Sequence, residues 1–170
     1  MDAAVAPEPA ADTGLPSWLP WPLRQPRSVL ATVGTAWVLT FFPALALGWL
    51  VNHFLPAIAQ PQLGDHSWPM FFMLDGFAPL VESLIMAGVL SLLLRLVPPV
   101  PAILLSSLGW GVAHSLEALG WGLVIWGPFL IFSTLYVAWR PRGFWVAVLV
   151  AAAAHAAHNL IPSLLYVLYR

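Results

Sequence analysis

Five apolar stretches, separated by arginine and proline, constrain this chain more than any other feature. They run over residues 28–55, 76–97, 99–118, 120–139 and 143–168. A bilayer core about 30 Å thick takes about 20 helical residues to cross, and each stretch is close to that length or beyond it. Pro98, Pro99 and Pro101 part the second from the third, and Arg140-Pro141-Arg142-Gly143 parts the fourth from the fifth. Proline lacks the N–H that a helix interior needs, so both read as turns. Only Glu117 to Gly120 marks the break between the third and fourth. A backbone in lipid must satisfy its own hydrogen bonds, and no strand-like alternation appears, so the stretches read as helices. The expected fold is all-α: a polytopic transmembrane helical bundle of about five spans.

Composition agrees with that reading. The chain is 61% apolar and 8% charged, against about 25% charged in soluble domains. So few polar groups cannot cover a globular surface, which makes lipid bilayer the expected partner. The net charge of −1 leaves no basic stripe to neutralise phosphates, which excludes nucleic acid. The absence of cysteine excludes disulfides and thiolate catalysis. Residues 1–27 are rich in Ala and Pro and open with three acids before any base, the reverse of a secretory signal. They read as a disordered tail, with Trp18 and Trp21 beginning an interfacial segment.

Every basic residue is arginine. With the N-terminus inside, five helices put Arg24, Arg27, Arg95, Arg140 and Arg142 on the inner face and only Arg170 outside. Asp65, His66, Asp75 and Glu117 then lie at or near the outer face. Trp139 and Trp145 flank the inner loop, and Trp68 and Trp121 sit near the outer one, as an aromatic belt does. The expected topology is N-in, C-out, so a C-terminal tag should lie outside the cytoplasm.

The same marks measure depth. At about 1.5 Å per residue, Glu82 lies roughly 20 Å from the inner face, His114 about 22 Å and His155 about 20 Å, with Asn159 one turn further. Four polar residues from three helices therefore share a layer. Each also has a plainer reading. A Glu inside a span is a functional candidate by default, although an acid can sit near an interface by accident. A lone His such as His114 is more often a hydrogen-bonded packing residue. His155 and Asn159, four apart on one face, could be a helix–helix hydrogen-bonding pair. His158 could join His155 as a metal ligand or face a neighbouring helix. Asp75 could line an outer mouth or be an exposed interfacial acid, and Ala151 to Ala154 suit close helix packing. Convergence at one depth favours a shared site.

At these residues the chain resembles a known family. Ala78-Pro79-Leu80-Val81-Glu82-Ser83-Leu84-Ile85-Met86-Ala87-Gly88 is similar to the first motif, E-E-x-x-x-R, of the CPBP family of CAAX prenyl endopeptidases, bacteriocin-processing and abortive-infectivity proteins. Trp110-Gly111-Val112-Ala113-His114 resembles its second motif, an aromatic four residues before a His. His155-Ala156-Ala157-His158-Asn159 resembles its third, H-x-x-x-N. The likeness covers about residues 76–163, one motif per helix and in family order. It implies an accessory first transmembrane helix at 28–55 and a four-helix protease-like core at 76–168.

The resemblance further implies a glutamate-dependent intramembrane endopeptidase, multi-pass in a bacterial inner membrane. Its substrate would be a membrane-embedded or lipid-anchored protein or peptide, cut near its C-terminus or leader. Glu82 and His114 would activate a water, and His155 and Asn159 would donate hydrogen bonds to the oxyanion. A carboxylate out of water is a stronger base, and fixed donors in a dry site stabilise developing charge. No cofactor is called for, and the zinc signature H-E-x-x-H is absent, with a divalent metal left open. The chain departs from the family where Ser83 replaces the second Glu and Ala87 the Arg. Losing both members of a buried ion pair can be nearly neutral. The same departure motivates an inactive member that binds membrane peptides or acts as an immunity partner. A metal or proton transporter is a third reading, for which the chain lacks the internal repeat that many transporters carry.

Overall fold

The computed structural model describes residues 13–169, and the long helices occupy the expected stretches with no strand among those residues. A short helix α1 (Trp21–Arg24) leads into α2 (Val29–Phe54), which Ser28 caps by accepting the N–H of Ala31 at 3.3 Å. The second span is one helical run from Trp68 to Leu93. It opens as α3 (Trp68–Phe72), passes through a π-helical turn at Met73–Phe77 and continues as α4 (Ala78–Leu93). Then come α5 (Pro99–Ser115), α6 (Leu119–Trp139), a 3₁₀ turn at Arg140–Arg142 and α7 (Phe144–Leu168). Gly143 closes that turn at φ 122°, a conformation open to glycine and strained for other residues.

Four helical stretches are long and apolar enough to cross a membrane: Val29–Phe54, Trp68–Leu93, Leu119–Arg142 and Phe144–Leu168. The expected third span is helical as well, but at 17 residues it is about 25 Å long and falls just short. Large apolar side chains such as Phe42, Trp49, Leu105, Leu149 and Leu165 point outward. With four such helices and large apolar side chains on their outer faces, the chain is an integral membrane protein.

Two boundaries depart from the sequence reading. The second span starts at Trp68 rather than residue 76, because Ser67 accepts the N–H of Met70 and Pro69 sits in the first turn. The expected disordered tail of 1–27 is also partly folded. Within it, Leu23 is wholly buried, Thr32 donates to the Pro22 carbonyl at 2.8 Å, and Arg24 Nε donates to the Leu19 carbonyl. Trp18 and Trp21 remain exposed beside it. Residues 1–12 of that tail and Arg170 lie outside the described residues.

Helix α6 is the hub, packing on α2, α5 and α7, and its Phe129, Phe132, Leu135 and Tyr136 are almost wholly buried. Its crossing with α5 is made at glycines. A Cβ on Gly122 would overlap the carbonyl oxygen of Gly111 and the Ser115 hydroxyl. Such close backbone approach holds helices together where lipid removes the hydrophobic incentive to associate. Buried Ala147, Ala151 and Ala154 give α7 a similarly small inner face, as the alanine run suggested.

Candidate functional site

Helices α4 and α5 place Glu82 and His114 face to face. Glu82 Oε2 lies 4.0 Å from His114 Nε2, and the two side chains keep 24% and 10% of their exposure. The glycine crossing positions the histidine, since His114 lies between Gly111 and Ser115 on the contact with α6. Its ring meets Trp121 edge-on at 4.6 Å and tilts over Phe129 at 5.8 Å. His114 Nδ1 is 2.9 Å from the Trp110 carbonyl, which can only accept, so Nδ1 carries the hydrogen. In the neutral ring Nε2 is then an acceptor as well. Two acceptors 4.0 Å apart have nothing to exchange directly, and the span suits a bridging water or a proton.

His155 is 4% exposed on α7. It stacks on Phe132 at 4.6 Å and meets Phe129 edge-on at 5.2 Å. Phe129 thus touches the imidazoles of both His114 and His155. The buried Nδ1 of His155 makes no hydrogen bond. A buried polar nitrogen without a partner is costly to maintain.

Asn159 stands apart from these three. Its Nδ2 donates to the Leu74 carbonyl at 2.8 Å, inside the π-helical turn. One turn on, the Ser163 hydroxyl donates to the Asn159 carbonyl at 2.9 Å and lies 3.5 Å from Asp75 Oδ1. Asp75 lies within this π turn, where the helical phase shifts, and its carboxylate faces Ser163 of α7. The structure therefore pairs Glu82 with His114 and links His114 to His155 through the Phe129 ring, while the Asn159 amide bonds the π turn. His158 takes the neighbouring-helix role: its Nδ1 lies 3.1 Å from Thr40 Oγ1 on α2.

The departures from the family motif lie inward. Ser83 and Ala87 are buried, and the Ser83 hydroxyl has no partner. Nearby, the Ser133 hydroxyl lies 3.1 Å from Ser106 Oγ and 3.4 Å from Met86 Sδ, so small polar and apolar groups fill this interior. Among the described residues no group of three or more His, Asp or Glu is placed to hold a metal ion.

The sequence reading assigned no site role to Phe129, Trp121, Leu74 or Thr40. Trp121 was read as a belt residue, and aromatic rings are too common in this chain to have flagged Phe129. Leu74 acts only through its backbone. Comparison with family models, characterised proteins and solved structures finds no match for this chain.

Proposed function

We propose that the chain is an intramembrane endopeptidase whose reaction centre is Glu82 and His114. The observation that carries this reading is a carboxylate and an imidazole from separate helices, 4.0 Å apart, with no other hydrogen bond on the carboxylate. A water between them gives a proton to Glu82 as its oxygen attacks a peptide carbonyl. An N–H of His155 donates to the resulting oxyanion, which answers its unpartnered nitrogen. As the tetrahedral adduct collapses, the carbon–nitrogen bond breaks and Glu82 returns the proton to the leaving amine. Asn159 is a positioning residue here, since its amide already holds Leu74. Substrates are membrane-embedded or lipid-anchored proteins cut near an end, reached in a bacterial inner membrane with the N-terminus inside.

The test compares membrane and secreted proteomes of wild-type and Glu82→Gln cells. Uncleaved termini should accumulate in the variant, and unchanged termini would sink the mechanism. A second reading, a peptide-holding partner without catalysis, draws on the engaged Asn159 and the interior Ser83 and Ala87. It expects Glu82→Gln and His114→Ala to keep function.

A further inference from the structure

Phe129 is the side chain that reaches both imidazoles of the candidate site. It is 1% exposed and lies in the stretch of α6 that is most deeply enclosed. Its ring stacks on Trp110 of α5 at 4.4 Å, with the two planes 12° apart. It tilts over His114 at 5.8 Å and meets His155 of α7 edge-on at 5.2 Å. Phe132, one turn along α6, meets it edge-on at 5.6 Å. Rings from α5, α6 and α7 thus converge on this one.

The two imidazoles differ in what holds them. His114 is oriented by the hydrogen bond from its Nδ1 to the Trp110 carbonyl at 2.9 Å. A bond of that kind on one ring nitrogen is the usual way a histidine is held for work at the other. Neither nitrogen of His155 makes a hydrogen bond among the described residues. Its ring plane is therefore set by packing: Phe132 stacks on it at 4.6 Å and Phe129 meets it edge-on. Turning the imidazole would drive it into one of those rings, which a close-packed interior resists.

We infer that Phe129 is a positioning residue, whose ring sets the plane of His155 and spaces that imidazole from His114. The spacing stands on the ring contacts; that it serves cleavage rests on the peptidase reading. Phe129 moves no proton and touches no reacting atom, so its effect is geometric. Misplacing a group at a reaction centre by about 1 Å can cost about a hundredfold in rate. Phe132 does not duplicate the role, since its ring contacts are with Phe129, His155 and His158 and none is with His114.

The test places the full chain, labelled at histidine and phenylalanine, in phosphatidylcholine nanodiscs. In the unsubstituted chain, nuclear Overhauser contacts should join the Phe129 ring to the ring protons of both His114 and His155. Phe129→Met then fills nearly the same space with a flexible side chain. The order parameter of the His155 ring C–H bonds should fall, while that of His158, bonded to Thr40, should hold. Leu135→Met, as deeply buried on α6, should leave the His155 ring ordered. Cleavage is read on a synthetic peptide carrying the terminus that accumulates in Glu82→Gln cells. Phe129→Met should lower kcat about a hundredfold with KM within about twofold, and Leu135→Met should change neither.

Missing contacts between Phe129 and either imidazole would overturn the inference, whatever the fold of the variants. An unchanged His155 order parameter would do the same, as would equal loosening by Leu135→Met. A looser His155 ring in a chain that cuts nothing upholds the placement and removes the peptidase. Cleavage that keeps its kcat in Phe129→Met upholds the peptidase and removes the positioning role.

Discussion

The α4–α5 pair and the polar row of α7 carry similar residue types at similar depth, yet they are built differently. Glu82 and His114 keep some exposure and leave the carboxylate and Nε2 without a hydrogen bond. On α7, His158 is bonded to Thr40, Asn159 to Leu74 and Ser163 to the Asn159 carbonyl. The buried Nδ1 of His155, by contrast, has no partner. In a membrane every polar side chain must find a partner, and helix–helix bonds are the usual one. What distinguishes a reactive group is therefore its lack of a partner, more than its being polar at depth.

The comparison breaks first at Glu82. Glu82→Gln keeps the shape, so the thermal unfolding midpoint should hold while substrate cleavage falls by about a thousandfold. A drop in the midpoint with cleavage retained would move Glu82 into the structural class. His155→Phe comes next. The ring already lies among Phe129 and Phe132, so phenylalanine should fit, and cleavage should fall about a hundredfold through the lost oxyanion donor. If cleavage persists, the idle nitrogen is a packing defect and His155 joins the rest of α7.

Much of this was legible in the sequence, for reasons that differ by residue. The helices and their prolines showed because lipid tolerates little besides apolar helix. The approach of Glu82 to His114 followed from depth, since two residues about 20 Å from one face on packed helices can meet. The π turn at Met73–Phe77 was not legible, because one inserted residue leaves no compositional trace. Without it Leu74 has no free carbonyl to offer, so Asn159 read as an oxyanion donor equal to His155. The order within 13–27 was hidden for a similar reason: a single buried Leu23 and a Thr32 bond to a backbone carbonyl tie down a segment whose composition looks disordered.

Asn159 gives the sharpest structural test. Asn159→Ala removes the donor from the Leu74 carbonyl, which should cost about 1–3 kcal/mol of stability in a denaturant titration. Asn159→Asp sets a carboxylate against that carbonyl and should cost at least as much. If Asn159→Ala unfolds normally and only cleavage suffers, Asn159 acts on substrate and the division between the two regions fails.

The smallest effect belongs to Tyr166, the last of the α7 row. Its hydroxyl is 3.0 Å from the Leu63 carbonyl and 2.6 Å from that of Gly64, and its ring stacks on His66 at 4.2 Å. One hydroxyl hydrogen serves two acceptors in a half-exposed setting that water can enter. Tyr166→Phe keeps the stack and loses only this shared bond, so stability should fall by about 0.5–1 kcal/mol. Cleavage should not change, because the contact ties the connection before α3 to the end of α7, far along the helix from His155. A large loss of cleavage with stability kept would show that this end of α7 handles substrate, extending the reactive region into the row assigned here to structure.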